Sequence, residues 1–422
     1  MPTPRTELVE LRGAWGLSQE ELAALAGISV STLGRWERGE TKNPTPNLKA
    51  LLSKALKIES AKELVEVLRP TGSGFAVNNA GVADAGATPN AQVAVSVGNA
   101  DDLGRVHAVV PRLRRVLDAF DLPEDGPTRP LGEIRADVVR ANEHRLEARY
   151  GVLADELPGL LTELARASQL VVGEEQRQQV ASLRALAFRA ADGLAFKFGY
   201  LDLSARLIDL MRQSAAAADD SLLVAASEYV RTENFFANGD LFTGGRALVK
   251  AANAVALSNR DLPDVAAAYG SLHMRAAVVV GRIGDGRAAT DHLREARRAA
   301  ERAPEGVYHG TAFGPHSIRI HELAVAAELQ DPAGVERASA WQPPMELPAE
   351  RRSHYYIDLG RAQLALGRYD DAHGSIEMAR IAAPQHAREH PQVRSTVGAL
   401  LQLRPGHSRV VELAAWAGAR AV

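Results

Sequence analysis

The chain contains no cysteine among its 422 residues. Disulfide bridges, thiolate metal sites and cysteine nucleophiles are therefore excluded. The sequence also lacks a run of about eighteen apolar residues, the minimum for a helix that spans a membrane, and the N-terminal MPTPRTELVE lacks the apolar core of a signal peptide. We expect a soluble, cytoplasmic protein that makes no contact with a membrane.

The common catalytic motifs are missing as well. The pattern His-Glu-x-x-His does not occur, GRIGDGR at 281–287 lacks the Lys-Ser/Thr ending of a phosphate-binding loop, and there is no Gly-x-Ser-x-Gly elbow. His309, His316 and His321 lie close together in sequence, but their intervals match no metal-ligand pattern. We expect neither an enzyme, nor a cofactor, nor a metal site.

The stretch from Ser18 to Glu40, SQEELAALAGISVSTLGRWERGE, predicts two short helices around a tight turn at Gly27. Ser18 and Glu21 have the spacing of a Ser-x-x-Glu capping box, which begins the first helix. Ser29 is placed to cap the second helix. The side chains at the start of that second helix are those that enter the major groove in a helix-turn-helix, namely Val30, Ser31, Thr32 and, one turn later, Arg35.

Residues Thr6 to Leu68 resemble the Cro/Xre-type repressor DNA-binding domain through LRGAWGLSQEELA, the AGIS turn and STLGRWERGE. The resemblance implies a five-helix, lambda-repressor-like domain at 1–70 that binds double-stranded DNA. The resemblance implies that the bases are contacted by Val30, Ser31, Thr32 and Arg35. It implies that the phosphates are contacted by Gln19, Ser29, Arg38, Lys42 and Asn43. Arg12 and Glu37 correspond to a structural pair that braces the first helix against the third. A helix-turn-helix that contacts only protein is the alternative.

The charge of this segment is small. Residues 1–70 contain ten Lys and Arg against nine Asp and Glu, a net charge of +1, and the rest of the chain carries a net charge of −4. Phosphate neutralisation supplies most non-specific DNA binding, so one domain with this charge binds DNA weakly. We therefore expect a homodimer, in which two domains double the contacts.

A linker is predicted at 71–101. Between Thr71 and Ala100 the chain consists mainly of Gly, Ala, Asn, Val and Ser, and Asp84 is its only charged residue. A flexible chain of this length spans about 30 Å on average. Alternating valines near position 95 leave a second interpretation open, a short strand that pairs across the dimer.

Residues 102–422 are predicted to be helical, so the whole chain is assigned to the all-α class. Leu359 to Pro384 resembles one tetratricopeptide repeat, with Leu359, Gly360, Ala362, Gly367, Tyr369, Ala372, Ile376, Ala379 and Pro384 in the register of that family. Weaker copies turn at Gly199, Gly239 and Gly284, and a further hairpin is expected to turn near Asp331. This pattern predicts an α-solenoid of TPR-like helical hairpins, with no strand after the linker.

Ligands of a solenoid contact its inner helices. One such helix carries Tyr229, Glu233 and Asn234, and the next carries Tyr269, His273 and Arg275. The stretch YHGTAFGPHSIR interrupts the helical pattern, and the helix that follows it presents an N-terminus suited to an anion. The candidate effector contacts are Asn234, Tyr269, His273, Tyr308, Phe313, His316 and Arg319. Packing between repeats is the alternative role of these residues.

The layout as a whole resembles bacterial regulators that sense peptides or other small ligands. It implies a dimeric, sequence-specific transcriptional regulator, cytoplasmic and associated with the nucleoid when bound to DNA, and controlled by an effector or partner. The alternative is a TPR-type scaffold for protein partners, anchored to DNA by its N-terminal domain.

Overall fold

The computed structural model describes residues 6–14, 18–19, 22–23, 30–38, 100–257 and 262–420. The chain divides into two compact units, and each is described here by itself. The first comprises residues 1–100 together with 283–285, and the second comprises 101–282 and 286–422. Residues 71–99 of the predicted linker, most of the helix predicted to begin at Ser18, and the last two helices of the predicted five-helix bundle lie outside the described residues.

The described part of the first unit contains helix α1 (Thr6–Ala14) and helix α2 (Val30–Glu37), which contact each other. Leu8 of α1, Leu33 of α2 and Leu22 between them are fully buried. Leu22 and Leu33 have the spacing of apolar residues on the inner faces of the two helices predicted around Gly27. The buried leucines fix α2 against α1, so the opposite face of α2 is exposed.

The second unit is built almost entirely of helices. They are α3 (Ala100–Asp118), α4 (Leu131–Leu146), α5 (Tyr150–Leu170), α6 (Glu174–Lys197), α7 (Leu201–Ala217), α8 (Ser221–Asn238), α9 (Leu241–Ala256), α10 (Pro263–Ile283), α11 (Gly286–Ala300), α12 (Pro315–Leu329), α13 (Pro332–Ser339), α14 (Ala349–Ala365), α15 (Tyr369–Ala382), α16 (Pro384–Glu389), α17 (Pro391–Leu403) and α18 (Ser408–Ala417). The all-α class is therefore confirmed. None of the described helices combines the length and the apolar content needed to cross a membrane.

Neighbouring helices are joined by tight turns at the predicted glycines. Gly199, Gly239, Gly284 and Gly367 have φ values of +79°, +80°, +95° and +76°. These backbone angles cost little only in glycine. Between α14 and α15 a second glycine also matters, because a Cβ on Gly360 would lie 2.9 Å from Ile376 Cδ1. A larger residue at position 360 therefore requires the Ile376 side chain to shift.

The second unit closes on itself. Helix α14 contacts α4, although more than two hundred residues separate them in sequence. At the same junction the backbone N–H of Tyr150 donates to Gln385 Oε1 at 2.8 Å. The helices therefore surround a space inside the unit, whereas an open solenoid would leave one concave surface exposed.

A two-stranded hairpin interrupts the helices, and it corrects the prediction that no strand follows the linker. Strands β1 (Gly306–Tyr308) and β2 (Thr311–Phe313) are antiparallel. His309 and Gly310 between them both have positive φ, +49° and +76°, as a two-residue hairpin turn requires. The fully buried Phe313 ring holds the hairpin against the core formed by α10, α11 and α12.

Candidate functional site

In the N-terminal unit a buried ion pair joins α1 to α2. Arg12 Nε donates to Glu37 Oε1 at 2.7 Å, and Arg12 Nη2 donates to Glu37 Oε2 at 3.4 Å. Glu37 is only 5% exposed, so its charge depends on these donors. The structure thus brings together the two residues assigned to the structural pair, and their forked contact fixes the orientation of α2.

Gln19, which the resemblance assigns to a phosphate, contacts the same carboxylate. Its side-chain amide donates to Glu37 Oε2. The amide nitrogen of Gln19 carries two N–H groups, so one remains for another acceptor. In this conformation Gln19 supports the buried pair.

Two arginines project from the exposed face of α2 and from its end. Arg35 and Arg38 are exposed, whereas Leu33 and Gly34 are buried. Arg35 is the residue for which the sequence predicts a forked contact with the O6 and N7 atoms of guanine. The side chains of Val30, Ser31 and Thr32, and the whole of Ser29, Lys42 and Asn43, lie outside the described residues.

The helices of the second unit line a cavity of about 440 Å³ that is partly open to solvent. Its wall carries eight cationic side chains, Arg145, Arg189, Lys197, Arg275, Arg282, Arg351, Arg361 and Arg394. It carries five carboxylates, Glu233, Glu328, Glu350, Asp358 and Glu389. The lining therefore has a surplus of three positive charges when all of these groups are ionised.

Most of the cavity cations are paired. Glu350 lies 3.0 Å from Lys197 Nζ and 3.6 Å from Arg145 Nη1. Burial opposes the ionisation of Glu350, but Lys197 and Arg145 outweigh it and hold the pKa of this carboxyl well below its usual range. Arg282 and Arg361 share Glu328 at 2.9 and 3.1 Å. In these pairs the charges of the cations are largely neutralised by neighbouring carboxylates.

Arg275 and Arg351 have no carboxylate partner among the described residues. Arg275 Nε donates to Thr232 Oγ1 at 2.8 Å. Arg351 Nη2 lies 3.3 Å from His321 Nδ1, and that nitrogen also lies 2.9 Å from the Ser317 carbonyl oxygen. Because one ring nitrogen cannot donate to the carbonyl and accept from the guanidinium together, Arg351 is poorly satisfied by the protein.

A cluster of histidines lies beside the cavity. His354, His386 and His390 bring ring nitrogens within 4.8 Å of one another, an arrangement that metal sites also use. However, Lys197 Nζ lies 3.2 Å from His386 Nε2. Burial first, and then Lys197, lower the pKa of all three imidazoles. Sequence reasoning considered other histidines, although the interval of four between His386 and His390 was a signal for this cluster.

None of the seven candidate effector residues lines the cavity. Phe313 is fully buried, Tyr269 donates to Glu295, and His273 contacts His292. Asn234 is half-buried, and the Tyr308 hydroxyl donates to a backbone carbonyl. The cavity is lined instead by their neighbours Glu233 and Arg275, together with Tyr229. These cavity-lining residues lie on the same helices as Asn234 and His273 but on other faces, because adjacent helical residues point about 100° apart.

The helix N-terminus proposed for an anion is already occupied. Glu305 Oε2 accepts the backbone N–H groups of His316 and Ser317 at 2.7 and 3.1 Å. His316 stacks on Trp341, and Arg319 lies over the same ring at 5.4 Å. The carboxylate of Glu305 therefore takes the place that the sequence suggested for a ligand.

Comparison with known proteins identifies the first unit. Residues 8–62 match the Helix-turn-helix family, so the N-terminal resemblance to a Cro/Xre-type domain is confirmed. No curated protein and no solved structure matches the chain. The match supports a DNA-binding regulator, and it covers none of the helical second unit.

Proposed function

We propose that the chain is a dimeric, sequence-specific transcriptional regulator whose helical unit binds an effector and thereby changes DNA binding. The observation that carries the proposal is the Helix-turn-helix match at 8–62 together with an exposed Arg35 on α2. The buried Arg12–Glu37 pair supports it, because it fixes the helix from which Arg35 projects. No catalytic step is part of this proposal.

Effector control is supported by the interior of the second unit. A cavity of about 440 Å³ falls within the range of about 300 to 1,000 Å³ typical of small-molecule sites. Two arginines on its wall lack carboxylate partners among the described residues, which leaves charge for a ligand to neutralise. A helical unit built only to hold two DNA-binding domains together would not need such a space.

Selection of genomic fragments on the purified full-length chain tests the proposal. We expect enrichment of near-palindromes whose half-sites lie about 34 Å apart, or a multiple of that distance. Arg35→Ala should relax the preference at one base pair of each half-site. Arg38→Ala is the matched control, since loss of a phosphate contact weakens binding to all sequences about equally.

If neither the original chain nor its variants enrich any DNA sequence, sequence-specific regulation is rejected. The second candidate function, a protein scaffold, is favoured by the helical hairpins of the second unit. It predicts that full-length Arg35→Ala protein still captures a stoichiometric protein partner, and that DNA selection yields no motif.

A further inference from the structure

The two unpaired arginines of the cavity are held in fixed positions. The Arg275 guanidinium lies 4.6 Å from the centre of the Phe236 ring and 5.2 Å from that of Tyr229. Its Nε is tied to Thr232. Among the described residues, no protein group accepts a hydrogen bond from either Nη atom of Arg275, so its forked end is available to a ligand.

The charges of Arg351 and Arg275 both influence His321. Both guanidinium groups and the ring of His321 line the same cavity. Burial first, and then Arg351 and Arg275, lower the pKa of His321. Burial also lowers the pKa of Arg275; Tyr229 and Glu233 oppose this effect, and the charges of Arg351 and Arg282 add to it. Like charges held together away from water are unfavourable until an anion joins them.

The cavity lining as a whole has a surplus of positive charge. The five carboxylates are fewer than the eight cations, and burial raises the pKa of Asp358, which favours its neutral form. Beside the cavity, Lys197 lies within 3.2 Å of His386, so the histidine cluster offers a cation an unfavourable setting. The electrostatics of the cavity therefore select a negatively charged guest.

We propose that this cavity binds a small organic polyanion, bearing phosphate or carboxylate groups, between Arg275 and Arg351. Planar guanidinium groups pair with both kinds of group through two parallel hydrogen bonds. The volume of about 440 Å³ is many times the roughly 30 Å³ of one water molecule, so the cavity has room for a guest larger than a simple ion. This inference rests on the proposed effector control and names the chemical class of the effector.

Thermal unfolding of the full-length chain tests the site with two probes, sodium pyrophosphate and sodium citrate, against sodium chloride at equal ionic strength. A probe at ten times its Kd should raise the Tm of the original protein by about 2–4 °C. Arg275→Met and Arg351→Met should each remove most of that shift. A larger response to pyrophosphate identifies a phosphate ligand, and a larger response to citrate a carboxylate ligand.

Arg294→Met is the matched control. Arg294 is exposed on α11 and pairs with Asp291, so its loss changes the net charge equally without touching the cavity. Because polyvalent anions also stabilise proteins by exclusion from their surface, only the difference between the cavity variants and this control counts. Circular dichroism establishes that each variant is folded, and Arg351→Lys, which keeps the charge but loses the fork, should retain a reduced shift.

Equal Tm shifts in the original protein, both methionine variants and the control would overturn the anion site. That result would leave sequence-specific DNA binding intact. Conversely, an anion shift that depends on Arg275 and Arg351 but leaves operator affinity unchanged would support the site and refute effector control. The two proposals therefore fail separately.

Discussion

Gly270 of helix α10 lies against the ring that anchors the β-hairpin. A Cβ added at this position would lie 2.1 Å from Phe313 Cζ and 2.8 Å from Ala299 Cβ. Carbon atoms in favourable contact are about 3.5–4.0 Å apart, so the substitution Gly270→Ala forces the ring or the helix to move by more than an ångström. Because Phe313 is fully buried, there is no space into which its ring can turn.

The magnitude follows from two opposing effects. Overpacking a core costs about 1–3 kcal/mol of unfolding free energy. Replacing glycine by alanine within a helix returns about 0.5–1 kcal/mol. We expect a net loss of about 1–2 kcal/mol, which lowers the Tm of a unit of this size by about 2–8 °C. Gly374→Ala in α15 is the control, since its Cβ would meet nothing within 4 Å.

Urea and thermal unfolding of the two variants measure the difference. Gly374→Ala should be as stable as the original chain or more stable, and Gly270→Ala less stable. Adding Phe313→Leu to Gly270→Ala should restore part of the loss, because the smaller side chain makes room for the new methyl group. If Gly270→Ala unfolds at the same point as Gly374→Ala, the packing of the hairpin described here is wrong.

Three further outcomes follow. Arg12→Ala leaves the buried Glu37 without its counter-charge, and we expect the N-terminal unit to lose about 3 kcal/mol of stability in urea, whereas Glu37→Gln should cost less. Burial, together with His292, lowers the folded-state pKa of His273 to about 4, against about 6.5 unfolded. The unfolded chain therefore binds more protons between these values, so unfolding free energy should fall from pH 6.5 toward pH 4; a flat pH profile would contradict this. Zinc chloride should not raise the Tm of the second unit, since Lys197 lies against the histidine cluster, and stabilisation by zinc would reverse that conclusion.

Local features of the fold could be predicted from the sequence. The glycines at 199, 239, 284 and 367 mark turns. Each has a positive φ, a backbone conformation that costs glycine little free energy and is unfavourable for most other residues. The resemblance of the N-terminal segment likewise depends on residues close in sequence. Turn glycines and family motifs are each contained in a short stretch of sequence, so they can be recognised without knowing which distant segments meet.

The closure of the second unit could not be predicted in this way. It depends on contacts such as Tyr150 with Gln385, and no local pattern shows which distant helices meet. The strands of the β-hairpin are three residues each, too short for an alternating pattern to emerge. Closure converts an expected open groove into a cavity, and this change brought Arg351 to the site and left Asn234 outside it.

In the proposed function, the exposed face of α2 reads DNA sequence. The most direct test is the fluorescence anisotropy of one selected operator fragment, titrated at fixed salt with the original chain and with Arg35→Ala. A forked contact with guanine contributes about 1–3 kcal/mol, so we expect Arg35→Ala to lose roughly 5- to 150-fold of its operator affinity, with little change on a scrambled fragment. Equal affinities of both proteins for operator and scrambled DNA would contradict it.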